Sequence, residues 1–313
     1  MPGAITGWGI ALPDTVVTNT ELEGRLDTTD EWIVERSGIR QRHIGGTVAG
    51  LATEAGRAAL RRAGVGPGDV DLLLLATTTP DEAVPATSAA VHAALGLSGG
   101  AVDLNAACAG FVYSLVLAHG ALATGSRCVL VIGADCLSRI TDPDDRGTAV
   151  LFADGAGAVV LEQHEAGGLL AHDLGTDGSA HDLLVCAHGG TLAMDGREVF
   201  RRAVRITVDS AAAALDRAGL EPADVGLFVP HQANLRIIEA AAARLGIPME
   251  RTAIVLDRTG NTSSASIPLA LAEAADGGRL GPGDVVLMCG FGAGMAWASA
   301  VVRWAGMPAA RAA

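Results

Sequence analysis

Three residues in three separate segments could do chemistry together. Cys108 follows the apolar run AVDLN and opens a second one, AGFVYSLVLAHGALATG. A thiol at such a strand-to-helix turn lies near free N–H groups and the positive end of the helix dipole, which predicts a lowered pKa and a nucleophile. His231, in FVPHQANLRI, ends an apolar strand just before a helix. A neutral imidazole there donates to a developing oxyanion or relays a proton. Asn261, in DRTGNTSSASIP, follows Gly260 at another strand-to-helix turn. Its amide can donate to an enolate or thioester oxygen without itself exchanging a proton. Each also has a plain structural reading: a small buried thiol, a core histidine, a turn asparagine. Cys128, Cys136 and Cys289 lie inside apolar strands and are read as small buried hydrophobes.

The elements that must position these residues come from an internal repeat. Arg62, Ala63, Gly64, Pro67, Asp69, Val70 and Leu72 recur as Arg217, Ala218, Gly219, Pro222, Asp224, Val225 and Leu227. Val102 then pairs with Val255, and CVLVIG from Cys128 pairs with VVLMCG from Val285. Each half runs amphipathic helix, turn, strand, helix, strand, helix and strand pair. Continuous Val/Leu runs alternating with helices predict buried, largely parallel sheet. Residues 1–170 form the first half and residues 171–313 the second, with a loop-rich passage over 165–195. Superimposing the repeats sets Cys108 opposite Asn261, both at strand C-terminal ends, where open α/β sheets build sites.

Composition removes several function classes. Of 313 residues, 41 are Gly, 50% are hydrophobic and 18% charged, which excludes a disordered chain and predicts a large, closely packed core. The 22 basic residues are all Arg and meet 35 acidic ones, a net charge of −13 that argues against nucleic acid. An acidic or phosphate-bearing partner must then be met by a local Arg cluster. Five scattered Cys fit reduced thiols, and a first charge only at Asp14 leaves no basic secretory segment, so a cytoplasmic location is expected.

Two uncharged stretches, between Asp103 and Arg127 and between Asp284 and Arg303, approach membrane-span length. Asn105, His119 and the Gly290, Gly292, Gly294 series interrupt them, so both are read as core and no membrane partner is expected. His172, His181, Cys186 and His188 lack zinc-ligand spacing, and no metal is expected. The glycine series is followed by strand-like AWASAVV rather than a helix, against a dinucleotide site.

Along its whole length the chain resembles the β-ketoacyl-acyl carrier protein synthase III (KAS III) branch of the thiolase-like condensing enzymes. AACAGF around Cys108, VPHQAN around His231 and GNTSSASIP around Asn261 are similar to its three active-site motifs, in its order. DEWIVERSGIRQR resembles its cofactor-binding entrance and GFGAGMAWASAVV its closing Gly-rich loop and strand. The resemblance implies an α/β thiolase-like fold, two duplicated βαβαβ-type halves packed as αβαβα layers, in a homodimer. It implies a ping-pong reaction in which Cys108 takes an acyl group from acyl-CoA, then a malonyl-acyl carrier protein loses CO₂ and its enolate attacks the acyl thioester. His231 and Asn261 would stabilise that enolate, and the N–H groups of Cys108 and Gly294 would form the oxyanion hole. No cofactor is held permanently; acyl-CoA and phosphopantetheine thioesters are substrates.

The resemblance also places Trp32 against the CoA adenine with Arg146 on its other face, and Thr28 and Arg36 at its base and phosphate. Arg201, Arg236 and Arg244 would hold the acidic carrier protein at the tunnel mouth. Phe200 and Phe291 would line the tunnel. Val84 stands where acetyl-preferring members carry a Phe that crosses the dimer interface and shortens the acyl pocket, so a starter larger than acetyl is expected. Arg197 stands where some relatives use Asn toward the pantetheine arm, which removes that contact. Fatty acid and polyketide priming share this mechanism, and an acyltransferase acting on a hydroxyl or amine acceptor would keep the same fold and Cys108.

Overall fold

The computed structural model describes residues 3–306; residues 1–2 and 307–313 lie outside, and with them the start of the segment read as lacking a secretory signal. Gly3–Ala11 (β1), Leu72–Ala76 (β2), Gly100–Leu104 (β3), Cys128–Cys136 (β4) and Asp154–Gln163 (β5) form a sheet in the order β1-β5-β4-β2-β3. Gly168–Thr176 (β6), Val225–Pro230 (β7), Val285–Gly292 (β8) and Ala296–Arg303 (β9) form a second in the order β7-β8-β9-β6. The helices around them are Asp30–Ser37 (α1), Val48–Ala63 (α2), Thr87–Leu95 (α3), Gly110–Ala123 (α4), Gly196–Ala218 (α5), Leu235–Leu245 (α6) and Ser266–Asp276 (α7).

The pairs β2–β3, β2–β4 and β7–β8 are parallel, while β1–β5, β4–β5, β8–β9 and β6–β9 are antiparallel. This corrects the expectation of a largely parallel sheet. Unbroken apolar runs report burial on both faces, which covering helices impose whatever the direction of the neighbouring strand.

Side-chain alternation along the strands builds the layers. In β4, Val129 and Val131 join a central core with α4 and α7, while Leu130 and Ile132 face α2 on the outside. In β8, Val286 and Met288 point to that same central core, and Leu287 and Cys289 point to α5. The central helix α4 is thus apolar on all sides because it lies between two sheets, which accounts for the uncharged stretch around it. Phe111 and Leu115 on α4 are fully buried, each contributing about 2–3 kcal/mol relative to exposure. Among the described residues no helix is long and apolar enough to cross a membrane.

The repeat holds at the level of caps. Helices α2 and α5 each end on a left-handed glycine, Gly64 (φ 65°) and Gly219 (φ 66°), followed by the short turns Pro67–Asp69 and Pro222–Asp224. Where β3 has its place in the first half, the second keeps only a single bridge between Phe228 and Thr252. The turn Ala107–Ala109 entering α4 matches Ser263–Ala265 entering α7, and their first residues share left-handed backbone, φ 48° and 52°. In each, an Asn two residues earlier accepts that residue's N–H: Asn105 from Ala107 at 3.1 Å, Asn261 from Ser263 at 3.0 Å. Asn261 therefore corresponds to Asn105, and Cys108 to Ser264. The expected Cys108–Asn261 equivalence is out of step because the Val102–Val255 match ran through the missing strand.

Candidate active site

Cys108 lies in the turn at the head of α4, half-buried. The end of β8 passes directly against it. A Cβ at Gly292 would lie 2.5 Å from the Cys108 N and 2.8 Å from the Ala107 Cβ, so the glycine is there for close approach to the nucleophile's turn. The Ser263 hydroxyl donates to the Cys108 Sγ at 3.3 Å.

His231 follows β7, its N–H donating to the Cys289 carbonyl at 2.7 Å and its ring meeting Phe291 edge-on at 5.2 Å. Its Nδ1 is 2.7 Å from the Ser266 Oγ, which also accepts the Gln232 N–H at 3.2 Å. With one lone pair of Oγ so engaged, the Ser266 hydrogen is free to point at Nδ1, and in that tautomer the ring proton sits on Nε2. Burial pushes the His231 pKa down to about 3, so the ring is a neutral donor at physiological pH.

Asn261 comes from the second half but is stitched to the first. Its N–H donates to the Leu151 carbonyl and its own carbonyl accepts from the Ala153 N–H, both at 2.9 Å. The preceding Gly260 (φ 71°) allows this, since a Cβ there would lie 2.7 Å from the Ala153 Cβ. With Oδ1 taken by the Ser263 N–H, the Asn261 Nδ2 is left as a donor.

Cys108, His231 and Asn261 line one cavity of about 600 Å³, together with Phe200, Phe291 and Asn234. Cys108 also borders a second, open cavity lined by Leu104, Tyr113, Leu137 and Ile140, by the polar Thr78, His181 and Asp182, and by Gly294. The thiol thus stands between two neutral donors on one side and a wider, open space on the other. That arrangement suits acyl transfer to sulfur and stabilisation of an oxyanion or enolate by donors that exchange no proton.

One expectation for the thiol is corrected. Burial pushes the Cys108 pKa up to about 12, the Ser263 hydroxyl pulls it back, and the buried Asp135 raises it further. The desolvation of a thiolate in this apolar setting exceeds what the helix terminus supplies. Asp135 lies behind the site without an ion-pair partner among the described residues. It accepts from the Thr78 N–H and the hydroxyls of Thr77, Thr78 and Thr79 on one side, and from the Ser264 N–H and hydroxyl on the other.

The model described as 3-oxoacyl-[acyl-carrier-protein (ACP)] synthase III matches residues 102–178, and the model for its C-terminal part matches residues 215–304. The chain is 50% identical over 317 residues to a β-ketoacyl-[acyl-carrier-protein] synthase III of Erythrobacter litoralis, spanning 96% of this chain and 99% of that one. The chain belongs to the β-ketoacyl-[acyl-carrier-protein] synthase III family. A Roseiflexus synthase III is 47% identical, with 96% and 98% covered. The crystal structure of the Aquifex aeolicus enzyme superposes with a TM-score of 0.95 at 43% identity, covering 96% of this chain and all of that one. The priming β-ketosynthase of the R1128 polyketide pathway gives 0.93 at 37%, covering 98% and 97%. The fold is accordingly thiolase-like, and the protein is a condensing enzyme of the acyltransferase class.

In this synthase III the residues expected at the entrance gather as a group. Trp32 on α1 has the Arg146 guanidinium at 4.9 Å and that of Arg36 at 5.7 Å from its ring centroid. The Arg146 Nη1 is anchored on the Asp27 carbonyl at 2.6 Å. The neighbouring Thr28 Oγ1 is buried without a hydrogen-bond partner. The Asn234 amide, on the cavity wall, donates to the Arg36 carbonyl at 2.9 Å, joining this entrance to the cavity.

The Arg236 guanidinium lies 5.6 Å from the Phe200 ring centroid, and Arg244 is exposed in the last turn of α6. Arg201 is held by Glu198 through two hydrogen bonds, and Arg197 is exposed. Val84 lines neither cavity; it stands on a loop with 85% of its surface exposed. Sequence reasoning singled out neither Ser263 nor Ser266 nor Asn234, although all three lie inside the quoted motifs. Asp135 carried no signal at all, being one acid inside an apolar strand.

Proposed function

We propose that this synthase takes an acyl group from acyl-CoA onto Cys108 and condenses it with malonyl-acyl carrier protein to start type II fatty acid synthesis. The observation that carries this reading is the position of Cys108 between a cavity it shares with two neutral donors and a larger, open cavity walled by both apolar and polar residues. The Cys108 thiol loses its proton to solvent, the thiolate attacks the thioester carbonyl, the Cys108 and Gly294 N–H groups hold the oxyanion, and CoA leaves as a thiolate that takes up a proton from solvent. A malonyl thioester then enters with its carbonyl oxygen on His231 Nε2–H and Asn261 Nδ2–H. Loss of CO₂ leaves an enolate on those donors, its carbon attacks the acyl group, and the Cys108 thiolate is expelled.

Trp32, Arg36, Arg146 and the unpartnered Thr28 hydroxyl form the CoA entrance. Arg236 and Arg244 on α6 offer the local positive charge for an acidic carrier protein. Arg201, already paired with Glu198, contributes less. The working form is a homodimer joined along the open edge of the first sheet. The exposed Val84 and Val102, the latter on edge strand β3, support this. Val84 of each copy would close the partner's open cavity and, being smaller than Phe, admit branched or longer starters. The 50% identity to the Erythrobacter synthase III, against 37% to the polyketide priming enzyme, favours the fatty acid route.

Intact-protein mass spectrometry tests the reading. Wild type, but not Cys108→Ala, should gain an acyl mass from a panel of acyl-CoAs and discharge it, with CO₂ release, into a β-ketoacyl carrier protein. Loading without condensation would point to another acceptor, and no loading from any CoA would overturn the proposal.

A further inference from the structure

We propose that Ser263 is a catalytic residue whose hydroxyl stabilises the Cys108 thiolate and so sets the rate of acyl loading, while its backbone N–H orients Asn261 for decarboxylation. The inference deepens the proposed function and rests on Cys108 being its nucleophile. Ser263 is 1% exposed, and its hydroxyl donates to the Cys108 Sγ at 3.3 Å. Its N–H, on the same residue, fixes the Asn261 Oδ1 at 3.0 Å. One residue therefore touches the acylating thiol with its side chain and the enolate-binding amide with its backbone.

The backbone conformation shows that this double contact is enforced. Ser263 has φ 52°, a region that a non-glycine residue occupies when its surroundings hold it there. The hold comes from both neighbours. Asn261 is bridged to Leu151 and Ala153, and Ser264 is clamped by its N–H and hydroxyl on Asp135, at 3.0 and 2.7 Å, and by its hydroxyl on the Ala76 carbonyl at 3.0 Å. At the repeat-related turn the same left-handed position is Ala107, which brings no hydroxyl.

The surroundings give the thiolate little other help. Of the titratable groups around Cys108, His231 is neutral and committed through Nδ1 to Ser266, and Asp135 behind the turn is repulsive. His181, Asp182 and Cys186 line the open cavity on its far wall, with His181 paired to Asp182 at 2.8 Å. A buried hydroxyl aimed at the sulfur is thus the side-chain donor that can offset the loss of water around the charged form.

The test compares wild type with Ser263→Ala and Ser263→Gly in the full chain. Alkylation of Cys108 by iodoacetamide is followed against pH by peptide-resolved mass spectrometry, which separates Cys108 from the exposed Cys186. Both variants should alkylate about tenfold more slowly at neutral pH, with the profile displaced upward by about one pH unit. Glycine relieves the left-handed backbone, so a wild-type profile in Ser263→Gly with a displaced one in Ser263→Ala would assign the effect to strain and overturn the proposal. So would unchanged profiles in both. Malonyl thioester decarboxylation, measured in the Cys108→Ala background, should fall by about tenfold less than loading does. An equal fall in both steps would make Ser263 merely structural. Because alkylation needs no acyl-CoA, it reads the thiolate even if the proposed substrates fail.

Discussion

Replacing Gly292 by alanine isolates geometry at the nucleophile from the rest of the fold. The backbone there is extended, φ −160°, so alanine meets no conformational penalty and the cost arises from contact alone. The new Cβ would sit 2.5 Å from the Cys108 N, where ordinary contact starts at 3.4 Å, so the turn carrying the thiol must recede by about 1 Å. One extra methyl in a tight core costs about 1–3 kcal/mol. Spread over the unfolding entropy of a chain this long, that lowers Tm by about 2–5 °C. A displacement of the same size at a reacting atom costs about a hundredfold in rate. Single-turnover loading from acyl-CoA, read by mass, should therefore fall about a hundredfold while the protein remains folded at the assay temperature. Gly120→Ala on α4, where a Cβ meets nothing within 4 Å, is the control; it should load as wild type and gain about 0.5–1 kcal/mol. Gly292→Ala loading within threefold of wild type would refute the argument that β8 sets the position of the thiol.

Acid should weaken the fold through His231. Its pKa is about 3 folded against 6.5 in the unfolded reference, so the unfolded chain binds the extra proton between those values. Lowering pH from 7 to 5 then costs about 2 kcal/mol, and the loss is complete only below pH 3; His231→Gln should remove that part of the pH dependence in thermal unfolding. Trp32→Ala and Arg146→Ala should each raise KM for acyl-CoA about tenfold with kcat within twofold, and leave KM unchanged for a pantetheine thioester without the nucleotide. Val84→Phe should cut loading of branched starters about tenfold relative to acetyl in a competition assay, and equal loading of both would refute the pocket assignment.

The sequence exposed the duplication, the order of elements and the three residues around the cavity, because each left a local trace: matching caps, apolar runs, a polar residue ending a strand. Strand direction left none, so a reading of largely parallel sheet does not foresee the antiparallel β1–β5–β4 and β6–β9–β8 pairings. The acidity of Cys108 was misjudged because a turn reveals a helix dipole but not the desolvation around it. Ser263, Ser266 and Asp135 act through partners far away in the chain: Asp135 and Ser264 are 129 residues apart, and only the packed halves bring them together.

The paired turns at Ala107 and Ser263 bear on how such a site could arise at all. Two identical half-length chains would carry the same residue at both turns, so a thiol at Cys108 would be matched by a thiol where Ser264 now stands. In one continuous chain that constraint is absent: the first turn carries Cys108 where the second carries Ser264. The asymmetry of the residues is thus written on a symmetric frame, and the Phe152–Asn261 bridge is one of the contacts that tie the two halves together.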